Sequence, residues 1–189
     1  MRTVILFNKP FGVLSQFSSD GDNPTLADFV PLRDVYPAGR LDKDSEGLMV
    51  LTAHGAIQHR ISDPRYKLPK TYWVQVEGTA GQLQLNQLRE GIELKDGMTR
   101  RAKARKIDEP TNLWPRDPPI RVRKAVPDEW LEITLSEGKN RQVRRMTAAV
   151  NLPTLRLIRA QIGTWHLDGL RPGKWREVDV PANWIRNGR

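Results

Sequence analysis

Asp42 is the residue of this chain best placed by its neighbours to do chemistry. It lies in GRLDKDSEGLMVLT, Gly39 to Thr52, between Arg40 and a predicted turn. Far downstream, EGKNRQVRRM, Glu137 to Met146, sets Lys139, Arg141, Arg144 and Arg145 around the start of a predicted helix. A lone carboxylate with several arginines suits work on a polyanion, because a guanidinium pairs with phosphate or carboxylate through a planar fork of donors. Asp42, Asp44 and Glu46 followed by Gly47 also resemble the start of a calcium loop. The last position of such a loop would be Ala53, where a bidentate Glu is required, so the calcium reading fails. On spacing alone, Asp42 is either a working carboxylate or a solvated turn residue with Arg40 and Lys43 as ion partners.

The arginine run carries two readings of its own. Arg141, Arg144 and Arg145 fall off the Val143–Met146–Val150 stripe, so they face away from the buried side of a helix. A solvated helix face usually alternates charge signs, whereas this one is basic from Lys139 to Arg145, which favours nucleic acid. Asn140 reads as the N-cap, and the free N–H groups of that first turn, with Gly138 before it, can receive a phosphate. Tyr72 lies in an alternating segment and by pattern is a core aromatic; Trp114, within a basic and proline-rich stretch, is the best candidate for base stacking. His54, His59 and His166 show no ligand spacing, so no metal site is expected. Neither GxGxxG nor a GK[ST] phosphate loop occurs, which removes dinucleotide and nucleoside-triphosphate chemistry.

The elements that must position these residues follow from periodicity. Thr3 to Phe7 and Gly47 to Thr52 read as buried strands, and His54 to Ser62 as a short helix. Lys70 to Glu77 alternates, with Tyr72, Val74 and Val76 on one face and Trp73 on the other. Thr79 and Gln82 form a capping pattern for a helix that Gly91 ends. Trp130 to Ser136 alternates again, then comes the Asn140 helix stopped by Pro153, and Leu155 to Ile162 as a strand. Ser15 to Pro24 and Glu109 to Pro127 read as loops, the second an insertion with five prolines. Interleaved strands and helices without a repeat indicate an α+β or mixed-sheet domain.

Composition agrees with a polyanionic partner. Lys and Arg number 31 against 22 acidic residues, a net charge of +9 over 189 residues, and Arg100 to Lys124 alone holds nine basic and three acidic residues. With no cysteine there is no disulfide, zinc thiolate or thiol nucleophile. The apolar run near the N-terminus is too short for a signal segment, and no run suits a membrane helix. A cytoplasmic protein is expected, and the lack of coiled-coil heptads makes a monomer the default.

Four strings, taken in order, resemble one family. NKPFGVLSQ (Asn8 to Gln16), GRLDKDSEGLMVLTAHG (Gly39 to Gly55), KTYWVQVEG (Lys70 to Gly78) and EGKNRQVRRM are similar to the motifs of the pseudouridine synthases of the small-ribosomal-subunit branch. The likeness runs from about Val4 to Glu177. It implies a largely antiparallel central sheet flanked by helices, one catalytic domain over residues 1–189 with two halves sharing a sheet, and 109–127 as its basic insertion. It also implies isomerisation of uridine within RNA, without cofactor or metal. Asp42 would be the catalytic aspartate, Tyr72 would stack on the flipped uracil and assist at the C5 proton, and Arg144 would pair with Asp42. Arg40 would hold the splayed strand, Leu135 would give an apolar wall, and Lys139, Arg141 and Arg145 would meet phosphates. The insertion around Leu113 to Lys124 points by likeness to large-subunit ribosomal RNA as partner. Small-subunit or transfer RNA, or an assembly factor that binds without chemistry, are the alternatives. Many relatives begin with a small separate RNA-binding domain, which this chain is expected to do without, and Ser45 stands where the family more often has Thr.

Overall fold

The computed structural model describes residues 2–121 and 123–185, apart from the side chain of Ile185. Met1, residues 186–189 and the Val122 position of the expected insertion lie outside the described residues. In chain order the elements are β1 (Thr3–Lys9), β2 (Tyr36–Pro37), β3 (Glu46–Thr52), α1 (Gly55–Ser62), β4 (Lys70–Glu77), α2 (Gln82–Glu90), β5 (Glu93–Leu94), β6 (Gly97–Met98), β7 (Lys103–Ile107), β8 (Asp128–Leu135), α3 (Gln142–Ala149), β9 (Thr154–Ile162), β10 (Trp165–His166), β11 (Trp175–Asp179) and α4 (Ala182–Ile185). The chain divides into two compact units, one of residues 1–66 and 165–189 and the other of residues 67–164.

In the first unit β1 pairs antiparallel with β11 on one side and β3 on the other. Both central strands are apolar runs because both faces are covered: every residue of β3 is buried, and β1 is buried from Val4 onward. Ile5, Phe7, Met49 and Leu51 pack with Leu26, Val30 and Leu41 from the preceding loops. The short β2 returns antiparallel to the far end of β3, setting Tyr36 opposite Thr52 and Pro37 opposite Leu51. Residues 38–45 therefore form a closed loop over the N-terminal end of β3, and Asp42 sits within it.

The second unit is a four-stranded antiparallel array, β9–β4–β8–β7. The alternation read from the sequence places Tyr72 and Val74 of β4 opposite Ile133 and Leu131 of β8. That face is covered by Leu85 and Leu88 of α2 and by Val143, Met146 and Val150 at α3, giving one continuous apolar core. An α+β fold with antiparallel pairing in each unit agrees with the expected class.

Two expectations need correction, and one element had no expectation. The α2 helix is capped by Gly81, whose N–H donates to Gln84 Oε1 at 2.8 Å, and not by Thr79. Asn140 does not cap α3: the N-cap is Arg141 in the left-handed region at φ 49°, and the loop is closed by Gln142 Oε1 accepting the Lys139 N–H at 3.0 Å. A basic stretch without a sequence signal for structure, Lys103 to Ile107, is the strand β7 at the edge of its array. Only Ala104 of β7 is buried, so the exposed positions are free to carry Lys103, Arg105 and Lys106, charges that discourage edge-to-edge pairing. The Glu109–Pro127 segment has no helix or strand among its described residues, as expected.

Candidate active site

Asp42 is half-buried in a loop whose backbone is tied on both sides of it. The carbonyl of Asp42 accepts the Ser45 N–H at 3.0 Å, and the Lys43 carbonyl accepts the Gly12 N–H at 2.8 Å. Gly39 enters the loop at φ 83° and Gly47 leaves it at φ 108°, conformations open to glycine and strained for other residues. Beneath the loop lies Lys9, a fully buried ammonium that donates to the carbonyls of Val13 at 2.7 Å, Pro10 at 2.9 Å and Lys43 at 3.4 Å. Charge-assisted bonds to carbonyls offset the desolvation of a buried ammonium. Arg40 is exposed beside Asp42 in the chain, and its Nη2 donates to Gln16 Oε1 at 3.3 Å.

In the second unit Tyr72 is buried in the core that also contains Leu135, Val143 and Met146. Leu135 stands opposite Lys70, two residues from Tyr72 on the same face of β4, so the expected apolar wall and the expected stacking ring share one surface. Arg144 is half-buried on α3 next to Val143. The loop before α3 is built on a buried carboxylate: Glu137 Oε1 accepts Gln142 Nε2 and the Arg100 N–H, each at 2.7 Å. Arg145 is held in a fork by Asp96, Nη1 to Oδ1 at 2.7 Å and Nη2 to Oδ2 at 3.2 Å. That hydrogen bonding keeps the Asp96 carboxyl below its usual range. Lys139 is half-buried and Arg141 exposed.

The structure thus gathers Tyr72, Leu135, Arg144, Lys139, Arg141 and Arg145 in one unit, and Asp42 with Arg40 in the other. Sequence reading passed over Lys70, although the alternation that selects Tyr72 also sets Lys70 on its face. Burial, and then repulsion from Arg159, lowers the Lys70 ammonium to about 8. Arg159 itself is buried and stands opposite Tyr72 in β9. The insertion is fastened rather than loose: Arg156 lies over the Trp114 ring at 5.8 Å and donates to the Trp114 carbonyl at 2.9 Å. One face of the expected stacking ring therefore already carries a guanidinium. Among the described residues no group of three His, Asp or Glu side chains could hold a metal ion, and no helix is long and apolar enough to cross a membrane.

Comparison with known proteins agrees with the motif reading. The family model described as RNA pseudouridylate synthase matches residues 3–149. A curated relative from Xanthomonas axonopodis pv. citri (strain 306), ribosomal large subunit pseudouridine synthase E, is 62% identical over 171 residues, covering 89% of this chain and 90% of its own. The protein of the same name from Vibrio vulnificus (strain CMCP6) is 54% identical over 181 residues, 96% of this chain and 77% of its own. A crystal structure of pseudouridylate synthase superposes with a TM-score of 0.77 at 29% identity, over 95% of this chain and 71% of that one. With its motifs in order, its fold matched and its sequence more than half identical to named members, this chain belongs to the RNA pseudouridylate synthase family.

Proposed function

We propose that the chain converts one uridine of large-subunit ribosomal RNA to pseudouridine, working as a single catalytic domain, a monomer, in the cytoplasm. The observation that carries the substrate is the identity to relatives named for the ribosomal large subunit, which extends over nearly the whole of both chains in the Xanthomonas protein. The net charge of +9 supports a polyanionic partner.

Asp42 is the acting carboxylate. Isomerisation breaks the N1–C1′ glycosidic bond, turns the uracil and joins C5 to C1′; C5 then loses its proton and N1 takes one up, so the product is an isomer of the substrate. A carboxylate that forms a transient covalent adduct divides this into easier steps. Arg144 takes the role that the family motif gives it, the cationic residue paired with Asp42. Tyr72 stacks on the uracil once it is flipped from the helix, Leu135 lines its apolar side, and Arg40 holds the opened strand. Lys139, Arg141 and Arg145 meet backbone phosphates, which for Arg145 requires sharing or exchanging Asp96.

Tritium release from C5-labelled large-subunit transcript, compared between wild type and Asp42→Asn, tests the reading. Release by wild type and none by the variant, with RNA binding retained, is expected. Release by both removes Asp42 from the chemistry. Release by wild type only from small-subunit or transfer RNA changes the substrate, and tight binding without release from any of the three supports an assembly factor.

A further inference from the structure

The loop that carries Asp42 is fastened by a side chain given no role so far. Ser15 is buried, and its hydroxyl makes two bonds to one residue: Oγ donates to the Leu41 carbonyl at 2.6 Å and accepts the Leu41 N–H at 3.0 Å. Leu41 directly precedes Asp42, so the carbonyl held is that of the peptide joining the two. The orientation of that peptide plane sets the torsion about the Asp42 N–Cα bond. The bond from Ser45 N–H to the Asp42 carbonyl, at 3.0 Å, holds the plane on the other side. Together they leave the Cα–Cβ direction of Asp42 little freedom, whichever rotamer the carboxylate takes.

Ser15 is itself held in place. Leu14 N–H donates to the Pro24 carbonyl at 2.9 Å and Leu26 N–H to the Gln16 carbonyl at 2.9 Å, so the residues on both sides of Ser15 are anchored to the next segment. Its Oγ also lies 3.5 Å from Met49 Sδ, inside the apolar core formed by β1 and β3. Every contact named here lies within the unit that carries Asp42.

The geometry points to Ser15 as a positioning residue for the isomerisation: its hydroxyl fixes the Leu41–Asp42 peptide and thereby aims the Asp42 carboxylate at the target nucleotide. This rests on Asp42 being the acting carboxylate. Ser15 touches neither the base nor the sugar in this scheme; it acts through the backbone. Without the hydroxyl, Leu41 keeps a buried N–H and C=O with nothing in their place, and the peptide can turn to find other partners. A shift of about 1 Å at a reacting group can lower a rate by about 100-fold.

Single-turnover rates on labelled transcript and filter-binding affinities test this for Ser15→Ala, beside Asp42→Asn and Ile57→Val, a mild core change in α1 of the same unit. The expected result for Ser15→Ala is a rate lower by about 10- to 100-fold, RNA affinity within a factor of about two, and an Ile57→Val rate near wild type. The pair Ser15→Thr and Ser15→Val has one shape and differs by the hydroxyl, so any overpacking against Met49 is common to both; Thr should exceed Val by the same margin. Wild-type rates in Ser15→Ala, or equal rates in the Thr and Val variants, overturn the assignment while Asp42→Asn stays inactive. Turnover by Asp42→Asn instead removes the Asp42 reading itself.

Discussion

Lys70 offers a sharp test of the energetics at the Tyr72 face. It opens β4 opposite Leu135 of β8 and Ile162 of β9, and its ammonium feels the charge of Arg159. Burial and that like charge take it from the ordinary 10.5 to about 8. At about 1.4 kcal/mol per pH unit the gap amounts to about 3.5 kcal/mol as a ceiling, and partial solvation of a half-buried group reduces it to about 1–2 kcal/mol. The sign is set by linkage. The folded state holds this proton less tightly than the unfolded chain, so the destabilisation is full below about 8 and is relieved as pH rises from about 8 toward 10.5. Lys70→Met keeps an unbranched chain of similar length at the same position without the charge. Urea denaturation of both proteins at pH 7, 8.5 and 10 should find the variant more stable by about 1–2 kcal/mol at pH 7, with the difference shrinking across that series. Contributions common to both proteins cancel in the difference between them. A variant equal to or weaker than wild type at pH 7, or a gap that does not change with pH, would refute the reasoning.

Two further perturbations probe binding and fold. Arg101, Lys103, Arg121 and Lys124 are exposed in the basic stretch, whereas Arg105 and Lys106 there are engaged by Glu132 and Glu129. Replacing those four by Gln should weaken RNA binding and flatten the plot of log affinity against log salt by about 0.7–0.9 for each one that meets a phosphate; an unchanged slope would exclude this surface from docking. Gly91 ends α2 at φ 115°, and a methyl group there would lie 2.6 Å from the Thr99 carbonyl oxygen. Gly91→Ala should lower stability by about 2–4 kcal/mol in urea titration, and a midpoint within error of wild type would show that the turn can relax.

Local pattern by itself determined a good part of this protein. Period-two alternation set β4 at Lys70–Glu77 and helical spacing set the Val143–Met146–Val150 stripe, because one buried face imposes its period on the chain. Apolar runs marked β1 and β3, and the ordered motif strings marked the family. The helix starts were less legible: a cap depends on which side chain reaches which N–H, so Gln84 and Gln142 displaced the Thr79 and Asn140 that composition favoured. Strand β7 was hidden because an edge strand with one buried residue can be charged at nearly every other position. Strand β11 closes on β1 across almost the entire chain, a pairing that no local window can register. Ser15 grips Leu41 from 26 residues away, and Arg145 finds Asp96 from 49 residues away. A motif can say that an aspartate stands ready to react. How the backbone beside it is held depends on hydrogen bonds from distant segments, and those exist only once the tertiary structure has brought the segments together.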